Sequence, residues 1–150
     1  MPSPTLRTAM TAHPEVLRVD ETVAIARARM SRLGVRHLPV LRGAEVVGVV
    51  SERDLRLVFG DDARISVADV CTDAVVSVDV ESSLHAVARL MLERRVGSVL
   101  VTEVGQLCGI FTTTDACRLL VELTAPVRKI PNWHAVAGVA HQPVTDRTGI

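Results

Sequence analysis

The sequence has no tyrosine, two phenylalanines and one tryptophan in 150 residues. Its core must therefore be built from Val, Leu, Ala, Ile and Met, and an apolar fraction of 48% is ample for that. Net charge is also absent, because 17 basic residues balance 17 acidic ones. That argues against a global attraction to nucleic acid or to an anionic membrane. No stretch approaches the roughly 18 apolar residues of a membrane span, and the start, MPSPTLRTAM, lacks the apolar run of a signal peptide. Three cysteines (Cys71, Cys108, Cys117) are an odd number without CxxC spacing. They argue against a disulfide framework or a structural zinc site, and read as small buried apolar residues. The expectation is a cytoplasmic, soluble protein with no nucleic-acid or membrane partner. Catalytic signatures are missing too: there is no Walker loop, no GxGxxG and no local Ser-His-Asp arrangement. The five histidines show no metal-ligand spacing.

What the chain does have is an internal repeat. Residues 6–60 align with 67–121 without a gap, with identities at Thr11/Thr72, Val19/Val80, Met30/Met91, Val35/Val96, Val40/Val101, Gly48/Gly109 and Asp54/Asp115. The identities are few, but the polarity pattern repeats throughout, and a repeat of this size must be recognised before a fold is assigned. In the first copy Thr22 is placed as an N-cap, and Val23, Ala26, Met30 and Leu33 form one helix face. In the second, Ser82 or Ser83 caps, and Leu84, Val87 and Met91 follow. The short β-branched runs at 37–41, 46–51, 98–102 and 107–112 read as strands around the turns at 42–45 and 103–106. Closing helices are expected over about 52–58 and about 113–123. Each copy then has the order β-α-β-β-α, an α/β (α+β) fold. One copy alone leaves a sheet face bare, so two copies pack together as a pseudo-twofold pair. The expected divisions are 1–60, 61–124 and an irregular tail at 125–150, with 59–66 as a polar linker. The tail holds Trp133, an anchor for a partner or a cover for the body, and a net charge of +2.

Both copies make the same junction between a strand and a helix, GVVSERD at 48–54 and GIFTTTD at 109–115. Ser51-x-x-Asp54 and Thr112-x-x-Asp115 have the form of helix capping boxes, with Asp replacing Glu. Capping by itself accounts for most such motifs. Three features go further. The box recurs at the same place. A glycine three residues earlier marks close approach by a backbone or a ligand. Arg53 lies in a first helical turn, where a cation opposes the dipole unless something anionic is near. A helix N-terminus with an arginine has the physical attributes of a phosphate site.

With these residues in view, 6–123 resembles a stand-alone tandem pair of cystathionine-β-synthase (CBS) domains, a Bateman module. The resemblance rests on MTAHPEVLRVDETVAIARARM, GVRHLPVL and GVVSERDL in copy one, and on VCTDAVVSVDVESSLHAVARLM, RVGSVLV and GIFTTTDA in copy two. It implies a regulatory, non-enzymatic module that binds an adenosine-containing ligand (AMP, ADP or ATP) between the paired domains and modulates a partner protein. It also implies a disk-like homodimer. Asp54 and Asp115 would hold ribose hydroxyls; Ser51 and Thr112 would bond ribose or the first phosphate. Arg53, Arg36 and His37 would contact phosphate, and apolar residues near Val16, Leu17 and Val76 would flank adenine. At the positions of Arg36, His37 and Arg53 the second copy has Gly97, Ser98 and Thr114, although Arg94 and Arg95 are close in sequence. The expectation is one good site with copy one's cations and one weak, empty or differently specific site, with binding that tightens as pH falls from about 8 to 6 through an ordinary His37. The competing readings are an S-adenosylmethionine or NAD(H)-type sensor, and a structural or protein-interaction module without a small ligand.

Overall fold

The computed structural model describes residues 3–125. The tail beyond 125, with Trp133, lies outside the described residues. The first repeat runs α1 (Leu6–Ala9), β1 (Thr11–Ala12), β2 (Leu17–Arg18), α2 (Val23–Leu33), β3 (His37–Arg42), β4 (Glu45–Ser51) and α3 (Glu52–Arg56). The second runs α4 (Val67–Val70), β5 (Ser77–Asp79), α5 (Leu84–Arg94), β6 (Ser98–Glu103), β7 (Gln106–Thr112) and α6 (Thr113–Leu123). The expected β-α-β-β-α order is present in each, preceded by a one-turn helix and, in the first repeat, by the two-residue strand β1. Thr22 caps α2 by accepting from the Ile25 N–H, and Ser83 caps α5 by accepting from the Ala86 N–H. Val23, Ala26 and Met30 turn inward along α2, and Val87 and Met91 along α5.

Two cores form. One gathers Leu17, Val23, Ala26, Met30, Leu38, Val40, Val50, Leu55 and Val67. The other gathers Leu6, Val80, Val87, Met91, Val99, Val101 and Phe111. Full burial of one such Leu or Val side chain stabilises by about 1.5–3 kcal/mol. The membership crosses the repeat boundary. Leu6, from the start of the first repeat, is in the second core, and Val67, from the start of the second, is in the first core. The backbone crosses with them. One sheet has the order β1-β7-β6-β5, with Thr11 opposite Ile110, and the other is β2-β3-β4. Thr72 forms the matching antiparallel bridge to Val49, with N–H···O distances of 2.9 and 3.0 Å. Each repeat thus lends its entry segment to the other's sheet. Arg7 reinforces the exchange through Glu103 at 2.7 Å and Glu81 at 3.1 Å.

The exchange explains the two strand glycines. A Cβ on Gly48 would lie 2.6 Å from Cys71 Sγ and 2.8 Å from the Thr72 carbonyl, and one on Gly109 would collide with the Met10 thioether. The close approach is made by the borrowed segment, not by a ligand.

Three local features depart from expectation. Helix α3 ends at Arg56, two residues short of the expected boundary, whereas α6 runs on to Leu123. The linker is pinned back on α2: Asp62 accepts from Arg27 Nε at 2.6 Å, and the Ile65 carbonyl accepts from the Val23 N–H at 2.9 Å. Cys71 and Cys108 pack against the cores, but Cys117 on α6 is exposed.

Candidate functional site

Both capping boxes form as the spacing requires. The Ser51 N–H donates to Asp54 Oδ2 at 2.8 Å, and the Asp54 N–H donates to Ser51 Oγ at 3.0 Å. The Thr112 N–H donates to Asp115 Oδ2 at 2.9 Å, and the Asp115 N–H donates to Thr112 Oγ1 at 3.2 Å. Capping is therefore one role of all four residues.

The second oxygen of each aspartate separates the copies. Asp115 Oδ1 accepts from Arg118 Nη1 at 2.9 Å and from Thr11 Oγ1 at 3.3 Å. The residue is 4% exposed, the one buried polar residue among those described. Asp54 Oδ1 has no protein hydrogen bond among the described residues. Leu57 stands where the second copy has Arg118, so nothing reaches back from the helix. One carboxylate is closed by the protein, and the other keeps an oxygen without a protein donor among the described residues.

Asp54 opens on a cavity of about 680 Å³ between the repeats. Seven of the expected site residues line it: Arg36, His37, Ser51, Arg53, Asp54, Val76 and Ser98. Ser51 and Asp54 share its lining with Val49, Thr72, Ala74, Val75 and Val76. The same lining includes the cations and Gly97, Ser98, Thr113 and Thr114 of the second repeat. The aligned positions of the two copies, expected at separate clefts, thus share one cavity. Across it, a Cβ on Gly97 would be 3.3 Å from His37 Nε2, so the glycine leaves room for the imidazole.

Four expected residues are not on this wall. Thr112 and Asp115 belong to the closed junction. Leu17 is fully buried in the first core, opposite Val40, and has no face to offer a ligand. Val16 is half-buried, and its carbonyl accepts from Arg29 Nη1 at 2.7 Å, an arginine that also pairs with Glu21 at 2.8 Å. The reason is parity. Strand side chains alternate, and the residue that aligns with Val76 is Glu15, one step away.

The electrostatics favour an anion. Arg36, Arg53, Arg56 and Arg95 face the cavity against Glu52 and Asp54. Glu52 pairs with Arg56 at 3.0 Å and lies 3.6 Å from Arg36. Arg53 and Arg95 have no carboxylate within ion-pair distance among the described residues. His37 is half-buried, and burial pushes its pKa below the ordinary 6.5; Arg36 and Arg53 push the same way, and Asp54 opposes them. The imidazole is thus neutral at pH 7, and any proton-linked tightening of anion binding extends to lower pH than an ordinary histidine would give. Arg95 was missed as a cavity residue by sequence reasoning. Its signal was its alignment with Gly34 at a helix end, where an arginine is out of place.

Comparison with known proteins bears on this arrangement. The family model described as "CBS domain" matches twice, at residues 6–61 and 67–122. The chain is 29% identical over 97 residues to inosine-5'-monophosphate dehydrogenase of Korarchaeum cryptofilum (strain OPF8), covering 64% of this chain and 20% of that protein. It thus spans a fifth of that relative's length. It is 30% identical over 115 residues to YlbB of Bacillus subtilis (strain 168), covering 73% of this chain and 78% of that one. Among solved structures, CBSX2 in complex with AMP superposes with a TM-score of 0.68 at 26% identity, covering 81% of this chain and 98% of that one.

Proposed function

The chain belongs to the CBS-domain family, with two copies of the domain, and from that premise we propose that it is a regulatory module that senses an adenine nucleotide (AMP, ADP or ATP) in the cavity bounded by Asp54. The observation that carries this reading is the contrast between the aspartates. Asp54 keeps Oδ1 for a ribose hydroxyl, in a cavity lined by both apolar and cationic residues. Asp115 has both oxygens taken by the protein. In this reading adenine lies against Val75 and Val76, ribose on Asp54 and Ser51, and phosphate among Arg36, His37 and Arg53. The AMP complex of the similar CBSX2 supports the choice of nucleoside. The module acts by linkage: a nucleotide that fits one arrangement of the repeats better than another shifts their equilibrium by that difference in affinity. A partner protein reads the shift, and no step of covalent chemistry is assigned to the chain. Titration calorimetry with AMP, ADP, ATP, adenosine, S-adenosylmethionine and NADH tests it. The expected result is one adenine-nucleotide site per chain, tighter than adenosine. No heat from any nucleotide at millimolar concentration, with the protein folded, overturns it.

A further inference from the structure

Helix α2 ends on Gly34, in the left-handed conformation at φ 65° and ψ 32°. Its repeat partner α5 ends on Arg95 in the same conformation, at φ 54° and ψ 41°. Glycine adopts that geometry freely, whereas a side chain makes it unfavourable. An observed backbone outlier of this kind is a reason to ask what the side chain does. The ordinary answer would be complementing the helix C-terminus, but Arg94 in the last turn already supplies a cation there. Arg95 faces the cavity from the second repeat, while Arg53 faces it from the first. These are the two cavity arginines without a carboxylate partner among the described residues. Thr113 and Thr114 at the start of α6 also line this cavity, and the Thr113 N–H is already donated to the Gly97 carbonyl at 3.1 Å.

We propose that Arg95 is a specificity-determining residue that grips the ligand's terminal phosphates together with Arg53, so that a di- or triphosphate bridges the two repeats and a bare nucleoside does not. The inference rests on the adenine-nucleotide reading for its ligand, but the grip itself is a property of the phosphate end. A guanidinium from each repeat on one phosphate chain ties ligand charge to the relative position of the repeats. That gives the module a means of telling ADP or ATP from AMP or adenosine.

The test uses the full chain and two variants, Arg95→Gly and Arg94→Ala, titrated with adenosine, AMP, ADP and inorganic tripolyphosphate. Arg95→Gly installs the residue that the first repeat has at this position, so its melting temperature should be unchanged or higher. Its affinity for ADP and tripolyphosphate should nonetheless fall by about tenfold or more, the scale of one charge-assisted hydrogen bond. AMP should lose less and adenosine almost nothing. Arg94→Ala removes the same charge one residue away, off the cavity wall, and should leave ADP affinity within about twofold. Equal ADP affinity in Arg95→Gly and wild type overturns the proposal, as does an equal loss from Arg94→Ala. If the wild type binds tripolyphosphate in an Arg95-dependent way but binds no nucleoside or nucleotide, the adenosine reading fails and the phosphate grip stands.

Discussion

Asp54 and Asp115 align in sequence, cap the same kind of helix and differ in what reaches their second oxygen. Asp54→Ala should lower nucleotide affinity by about 1.5–3 kcal/mol, the range for a hydrogen bond to a charged group. Loss of the cap should lower stability by about 0.5–2 kcal/mol. Asp115→Ala should do the reverse: a larger stability loss, since four hydrogen bonds to a buried carboxylate disappear, with little change in ligand affinity. Calorimetry and urea unfolding on both variants separate the roles, and equal affinity losses would refute the asymmetry. His37 makes a pH prediction. Its folded pKa lies below its unfolded value, chiefly because burial disfavours the charged ring. Its stability contribution is therefore complete above the unfolded value and is lost as pH falls through the lower folded one. Between about pH 7 and 5, wild type should lose more stability than His37→Gln. Parallel unfolding curves across that range would show that the ring does not titrate as argued.

Elements show the repeat used twice with different local solutions. The β3–β4 hairpin turns on Gly43-Ala44, with glycine at φ 61°. The β6–β7 hairpin turns on Val104-Gly105, at φ 50° and 75°, the double left-handed pattern of a type I′ turn. A β-branched residue is poorly suited to that geometry, and Val104 is 93% exposed, so packing does not compensate. Val104→Asn creates the Asn-Gly pair that this turn favours. It should stabilise the protein by about 1 kcal/mol, read as a higher urea midpoint with unchanged slope. No gain would mean that the turn relaxes in solution. The longer strands, the hairpins and the caps at Thr22, Ser51 and Thr112 were legible in the sequence, because alternation, turn residues and N-cap chemistry are local, and the structure chooses Ser83 over Ser82. The fold-back of the linker onto α2 was less so, because Arg27 meets Asp62 and the Val23 N–H meets the Ile65 carbonyl only in the folded chain.

For the whole molecule, helix α6 leaves Leu120, Val121 and Leu123 exposed, and the end of α3 leaves Leu57 and Phe59 exposed. Apolar residues on that scale belong in an interface, and we expect a homodimer in which these helices meet a second copy, a closed twofold arrangement. Light scattering at micromolar concentration should give twice the chain mass of 16.2 kDa, and Leu120→Glu should shift it towards monomer. A monomeric wild type would contradict this.

The sequence by itself determined the duplication, the order of elements, the junction motifs and the placing of copy one's cations. All of these follow from local chemistry and from a pattern that repeats at a fixed offset. Only the tertiary structure decided which halves work together. The exchange of Leu6 and Val67 between cores, the Thr11 contact that helps close Asp115, and the place of Val75, Val76 and Arg95 in one cavity with Asp54 all join residues far apart in the chain. No local periodicity records such pairings, because they arise when each repeat's entry segment packs onto the other repeat's sheet. The side chains of Leu17 and Val76 show the limit: both are apolar residues near a β-strand, and only the register and packing of the folded sheets sent one into the core and the other onto the cavity wall.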